Sequence, residues 1–180
     1  MSWKIDPAHS QITFSIRHMM ISNVHGRFEN FTGEVDFREN DPKNSTVDVK
    51  IDAASINTRE PKRDGHLRSP DFFNAEQYPY LTFKSKRIEA VDENHAKIVG
   101  DLTIRDITKE VVLDTEYAGQ SKMWGNTSAG FSASTKINRK NWGLNWNQLL
   151  ESGGLLVGED ISINIDLEIV KVAEVEKVAS

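Results

Sequence analysis

The chain has no cysteine, which excludes disulfides, thiolate catalysis and cysteine-ligated zinc. It also has no positive excess. Its 22 lysines and arginines face 27 aspartates and glutamates, for a formal charge of -5 spread without runs. Nucleic acid demands a basic face, so no nucleic-acid partner is expected. No apolar stretch approaches the roughly 18 residues of a membrane-spanning helix. The opening MSWKIDPAHS reaches Asp6 and Pro7 without a basic segment and apolar run, so it does not read as a secretory signal, and a cytoplasmic location is expected. Five histidines are present, His9, His18, His25, His66 and His95, yet no two share the spacing of one strand face or one helix turn. There is no HExxH and no GxSxG, so neither a metal site nor a serine elbow is signalled, and no cofactor is expected.

What is present is alternation. Ile12, Phe14 and Ile16 oppose Thr13, Ser15 and Arg17 in Gln11 to His18, and Val47, Val49, Ile51 and Ala53 oppose three charged residues in Thr46 to Ala53. Ile161 to Ile169 shows the same period most clearly, and Gly33 to Phe37, Tyr80 to Lys86, Lys97 to Thr103, Glu110 to Tyr117 and Ala129 to Ile137 add weaker cases. Half-buried strands carry this period of two, and about eight at this spacing indicate an all-β sandwich or barrel. The 180 residues suit one domain, expected over residues 1–172, with a C-terminal tail over residues 173–180.

Two stretches interrupt the strands. Met19 to Val24 reads as one helical turn, with its methionines in the wall or core. Asn57 to Tyr78 reads as a pair of short helices, the first signalled by Asn57 followed by Glu60 and the second capped by Ser69 before Pro70. So small a helical cover cannot bury an open apolar sheet, which favours an eight-stranded antiparallel barrel closed on itself. Ala129 to Ile137 is poor in volume on both faces, which tips a barrel of this size toward holding a ligand. The alternative is that large residues of the other strands fill the gap.

The segment GHLRSPDFFNAEQYPYLTF, from Gly65 to Phe83, sets His66, Arg68 and Asp71 among Phe72, Phe73, Tyr78, Tyr80 and Phe83. His66, Ser69 and Asp71 invite comparison with a catalytic triad, but triads are defined by geometry, and Ser69 has a capping role. Ligand pockets are mostly apolar with a few convergent polar groups, so the aromatics read as lining, with Arg63, Asp64 and His66 orienting a phosphate, carbonyl or quinone oxygen. Pairings of Arg63 with Asp64, or Arg68 with Asp71, that merely pin the loop are the alternative. WGLNW, Trp142 to Trp146, reads either as the closure of one barrel end or as an oligomer contact.

Four motifs resemble one family: WKIDPAHSQITFSIRHM at Trp3 to Met19, SINTREPKRDGHLRSPDFFNAEQYP at Ser55 to Pro79, GDLTIRDITKEV at Gly100 to Val111, and INRKNWGL at Ile137 to Leu144. Together they resemble the YceI-like, polyisoprenoid-binding proteins from Trp3 to about Val170. The resemblance implies a lipocalin-like barrel around an apolar tunnel for an isoprenoid lipid, a quinone tail or another long-chain amphiphile. It also implies homodimers, and a lipid carrier implies transient contact with a membrane surface. It imports no catalytic residues. Expected ligand contacts are Phe14, Ile16, His18, Arg63, Asp64, His66, Phe72, Phe73, Phe83, Leu102, Phe131, Ala133 and Trp142. Asp106 stands where these proteins usually carry glycine, in a turn whose left-handed geometry aspartate tolerates. The expected function is lipid binding for carriage, storage or protection. The alternatives are an enzyme acting on a lipid or quinone in the same pocket, and a dimeric interaction module without ligand.

Overall fold

The eight alternating segments all form strands, because each can bury an apolar face only by pairing on both sides with another. The computed structural model describes residues 3–172, so the expected tail over residues 173–180 lies outside the described residues. Eleven strand segments form the sheet: β1 (Trp3–Ile5), β2 (Gln11–His18), β3 (Ser22–Phe28), β4 (Phe31–Asp36), β5 (Thr46–Asp52), β6 (Ile56–Asn57), β7 (Tyr80–Ala90), β8 (His95–Ile104), β9 (Ile107–Met123), β10 (Asn126–Asn138) and β11 (Val157–Lys171). Three pairs of segments are single strands interrupted by a bend: β1 with β2, β3 with β4, and β5 with β6. Counted this way, eight antiparallel strands close into a barrel, because β11 pairs with both β2 and β1, and β1 pairs in turn with β4. No sheet edge is left along the main circuit, which removes the hazard of unpaired strands.

One helix, α1 (Pro61–Arg68), covers the end of the barrel where β2 meets β3 and β8 meets β9. Its N-cap is Glu60, whose side chain accepts from the Lys62 N–H at 3.0 Å, and Pro61 occupies the first turn, where a missing N–H costs nothing. The expected second helix does not form. Ser69 ends α1, with its N–H on the His66 carbonyl, and the chain continues in turns pinned to α1 by Phe73 N–H to Leu67 O and Ala75 N–H to Arg68 O, both 2.9 Å. The Pro70 signal belongs to these turns.

The expected helical turn at Met19 to Val24 is also corrected. Met19 and Met20 form a tight turn with φ of 52° and 63°, their side chains are exposed, and Ser22 onward is strand. Gly26 hides that strand from a periodicity search. It leaves no side chain in the apolar row of Val24 and Phe28, because the Phe14 ring lies where a Cβ would be. At the β8–β9 turn the left-handed φ of 57° falls on Arg105, not Asp106, so the aspartate is not what makes that turn feasible.

Candidate functional site: a hollow barrel with two unlike mouths

The inward faces do not fill the barrel. Ile12, Phe14 and Ile16 of β2, Val47, Val49 and Ile51 of β5, and Ile161, Ile163 and Ile165 of β11 line a cavity of about 1060 Å³. That volume stands at the upper end of the roughly 300–1,000 Å³ usual for small-molecule sites. Many of these residues remain partly accessible although they face inward, as do Ile98 and Ala133. In a close-packed core such residues would be sealed. The thin wall is on β10, whose inward face is Phe131, Ala133, Thr135 and Ile137. On β7, the Phe83 ring packs over Gly100 of the adjoining β8, which has no side chain. A Cβ there would come within 2.5 Å of the Phe83 ring and 2.6 Å of the Lys84 carbonyl.

At the helix end the wall becomes polar. Arg63 donates from Nε to Thr58 Oγ1 at 2.8 Å and from Nη2 to the Thr58 carbonyl at 2.7 Å. Thr58 is buried, and its N–H and hydroxyl both donate to Asp64 Oδ1, at 2.8 and 2.5 Å. Neither of the alternative pairings forms: Arg63 and Asp64 meet through Thr58, while Arg68 donates to the Ala54 carbonyl at 3.0 Å. Among the described residues, no carboxylate lies within ion-pair distance of Arg63. His66 Nε2 donates to Asp71 at 2.8 Å, and its ring stands edge-on to Trp146 at 4.5 Å and Phe72 at 5.1 Å.

Below this group, Arg139 is almost sealed from solvent at 1% exposure. It donates to the carbonyls of Gly158 (2.8 Å), Trp146 (2.9 Å), Val157 (3.4 Å) and Leu144. Burial holds its guanidinium below the ordinary arginine range, opposed by the charge of Glu159. These bonds fasten the 143–158 segment across the barrel end, and Trp142 completes the closure through its indole N–H, 2.9 Å from the Leu102 carbonyl.

The opposite end is built differently. Phe37, Tyr117 and Phe131 pack with centroids 5.1 to 5.3 Å apart, with Trp3 beyond Phe37 at 5.7 Å. Outside this constriction the wall continues through Glu39, Asp92, Glu93, Asn94 and His95. Desolvation raises the Tyr117 phenol, with the Glu39 charge acting the same way. The hydrogen bond to Asp92 raises the exposed His95 imidazole above its ordinary 6.5. Charged wall residues at the helix end are Arg17, Lys62, Arg63 and Arg139 against Glu60, whereas those at this end are Glu39, Asp92 and Glu93. The lumen is therefore cationic at one mouth and acidic at the other.

Of the residues expected to meet a ligand, Phe14, Ile16, His18, Arg63, His66, Phe72, Phe73, Phe83, Leu102, Phe131 and Ala133 lie on this wall. Asp64 and Trp142 do not. Asp64 turns inside the Thr58 loop, and Trp142 is buried in the end closure at 2% exposure, which also rules it out as an oligomer contact. Thr58, Arg139 and Trp146 are wall residues that the sequence reading did not single out. Trp146 lay within WGLNW, and Arg139 within INRKNWGL, but nothing in the sequence separates Arg139 from the exposed Lys140 beside it. Asp6, His9 and Glu168 also converge, but on the outer surface and away from the lumen. Among the described residues no helix is long and apolar enough to cross a membrane.

Comparison with known proteins agrees with this architecture. The chain is 40% identical over 169 residues to a UPF0312 protein of Staphylococcus aureus strain N315, covering 93% of this chain and 96% of that one. The crystal structure of a Campylobacter jejuni YceI protein matches with a TM-score of 0.75 and 35% identity, over 88% of this chain and 91% of the other. Burkholderia cenocepacia BcnA shares the fold with a TM-score of 0.81 at 21% identity, over 91% and 98% of the two chains. A polyisoprenoid-binding domain from Saccharophagus degradans shares it at 0.68 and 15%, over 93% and 97%. The family model for the YceI-like domain matches residues 3–169, so the chain belongs to the YceI-like family.

Proposed function

We propose that the barrel binds a long-chain amphiphile, such as a polyisoprenoid, an isoprenoid quinone or a fatty-chain compound, with its tail in the lumen and its head at the cationic helix end. The observation that carries this reading is the cavity of about 1060 Å³, whose inward apolar residues stay accessible in the protein alone. An apolar chain entering it gains about 25 cal/mol for each Å² of its surface removed from water. Arg63 supports the head assignment, because Thr58 fixes its Nε and one terminal nitrogen without neutralising its charge. A charge-assisted hydrogen bond from such an arginine suits a phosphate or a quinone carbonyl. The Saccharophagus degradans neighbour is described as a polyisoprenoid-binding domain, which supports the choice of lipid class.

Binding rather than catalysis is favoured because the polar groups of the wall are tied to one another. Thr58 is held between Asp64 and Arg63, and His66 is held by Asp71. Organic extraction of the purified protein followed by mass spectrometry tests the proposal, together with uptake of a quinone and a polyprenyl phosphate presented in detergent. A co-purifying long-chain compound, or saturable uptake at one per barrel, is expected. Neither lipid recovered and neither taken up would overturn it.

A further inference from the structure

The cationic mouth is rimmed by exposed apolar side chains that the lumen does not use. On the β2–β3 turn Met20 is 61% exposed and Ile21 is 78% exposed, and across from them Leu149 is 74% exposed. The two segments form one surface. Met19 N–H donates to the Leu156 carbonyl at 2.8 Å, and the Met20 thioether lies over Gly154, where a Cβ would stand. Met19 and Met20 both adopt left-handed φ, which non-glycine residues rarely accept, so this turn presents its apolar tip at a conformational cost. Exposed apolar groups held this way beside a ligand mouth mark an interaction surface.

From this surface we infer that the rim formed by the β2–β3 turn and the 149–155 loop docks on an anionic lipid bilayer, so that the cationic mouth opens onto the headgroups. The inference rests on the lipid-binding reading above. Charge selects the occupant. Arg17, Lys62 and Arg63 stand on the wall at this mouth against Glu60 and the exposed Glu151 of the loop, a cationic excess that attracts anionic headgroups, while Ile21 and Leu149 reach into the interfacial layer. A twofold pairing of two copies through the same face would bring a second set of these cations to the same place and plug the mouth. The other end also carries an exposed apolar tip, Trp124 at 92%, but its mouth bears Glu39, Asp92 and Glu93, which an anionic surface repels.

The test is co-sedimentation of the full chain with vesicles of phosphatidylcholine, with and without phosphatidylglycerol. Binding is expected to the phosphatidylglycerol vesicles at low salt and to be reversed by high salt. The Ile21→Ser, Leu149→Ser double variant is expected to bind them about tenfold more weakly or worse, because two apolar anchors are lost. Trp124→Ser is expected to bind like the wild type. Quinone uptake from detergent keeps the two readings apart. If the wild type takes up quinone but ignores the vesicles, or the double variant binds them unchanged, the docking surface is overturned and lipid binding stands. If the wild type is a dimer in gel filtration and the double variant a monomer, the rim belongs to a second copy and the inference also fails.

Discussion

The two ends of the barrel solve the same problem by different means. At the helix end, buried polar groups are tied into hydrogen bonds, Thr58 to Asp64 and Arg63, Arg139 to four carbonyls and Trp142 to Leu102, while Arg105 Nε is buried without a partner. At the far end, aromatic rings narrow the lumen, and the charged groups beyond them are exposed and acidic. Buried hydrogen-bonded networks hold one geometry, because every broken bond leaves an unsatisfied group away from water. Packed rings exclude water with far less directional constraint. On the proposed lipid-binding reading, the helix end is therefore suited to read a headgroup and the far end to let a chain of variable length pass.

The sharpest break in this comparison concerns stability. Trp142→Ala at the helix end removes a buried ring and its hydrogen bond to the Leu102 carbonyl, and should cost about 3–5 kcal/mol in urea unfolding. Trp124→Ala at the far end removes an exposed ring and should stay within about 0.5 kcal/mol. Equal losses would show that the helix end is not the rigid one.

Between the ends, Ala133→Trp asks whether the lumen is free to take a chain. The indole should occupy the cavity and abolish quinone uptake while the melting temperature holds. In a filled core the same change would overpack, costing about 1–3 kcal/mol. The assignment of head and tail is tested by Arg63→Ala. Affinity for a polyprenyl phosphate should fall by about 1.5–3 kcal/mol, the worth of a hydrogen bond to a charged group, with a plain long-chain hydrocarbon unaffected. Glu39→Gln at the acidic mouth should leave both unchanged.

The smallest effect lies at the far end and depends on pH. Asp92 raises the His95 pKa in the folded protein above the ordinary 6.5, so the pair stabilises the fold fully below about 6.5 and the contribution fades as pH rises through the raised value. His95→Gln should therefore narrow the difference in melting temperature between pH 5.5 and pH 8, flattening the profile on its acid side. An unchanged profile would remove His95 from the account of that end.

Much of this protein is legible in its sequence, because period-two alternation is a local property and each strand must bury one face whatever its partners. Ile161 to Ile169 or Thr46 to Ala53 can be assigned without knowing what lies beside them. The same pattern narrows the architecture, since an apolar face with so little helical cover must close on itself or pair with a second sheet. The inward residues Phe14, Phe83, Phe131 and Ala133 could likewise be named in advance.

The places where the sequence misleads are those where a distant segment overrides a local signal. Gly26 weakens a strand by its lack of a side chain, and that lack is what seats Phe14 from the neighbouring strand. Ser69-Pro70 looks like a helix start, but Ser69 is spent on closing the helix before it. Asp64 looks like a site carboxylate and is a pin for Thr58. Arg139 looks like any surface arginine and is the fastening of an entire barrel end. Composition determined the absence of thiol chemistry, and alternation determined most of the strands and, where one face is clearly apolar, the face that turns inward. Only the tertiary structure decided that the lumen stays open, that its mouths carry opposite charge, and which polar groups are tied down. Volume and charge inside a barrel are sums over strands far apart in the chain, and no local pattern records such a sum.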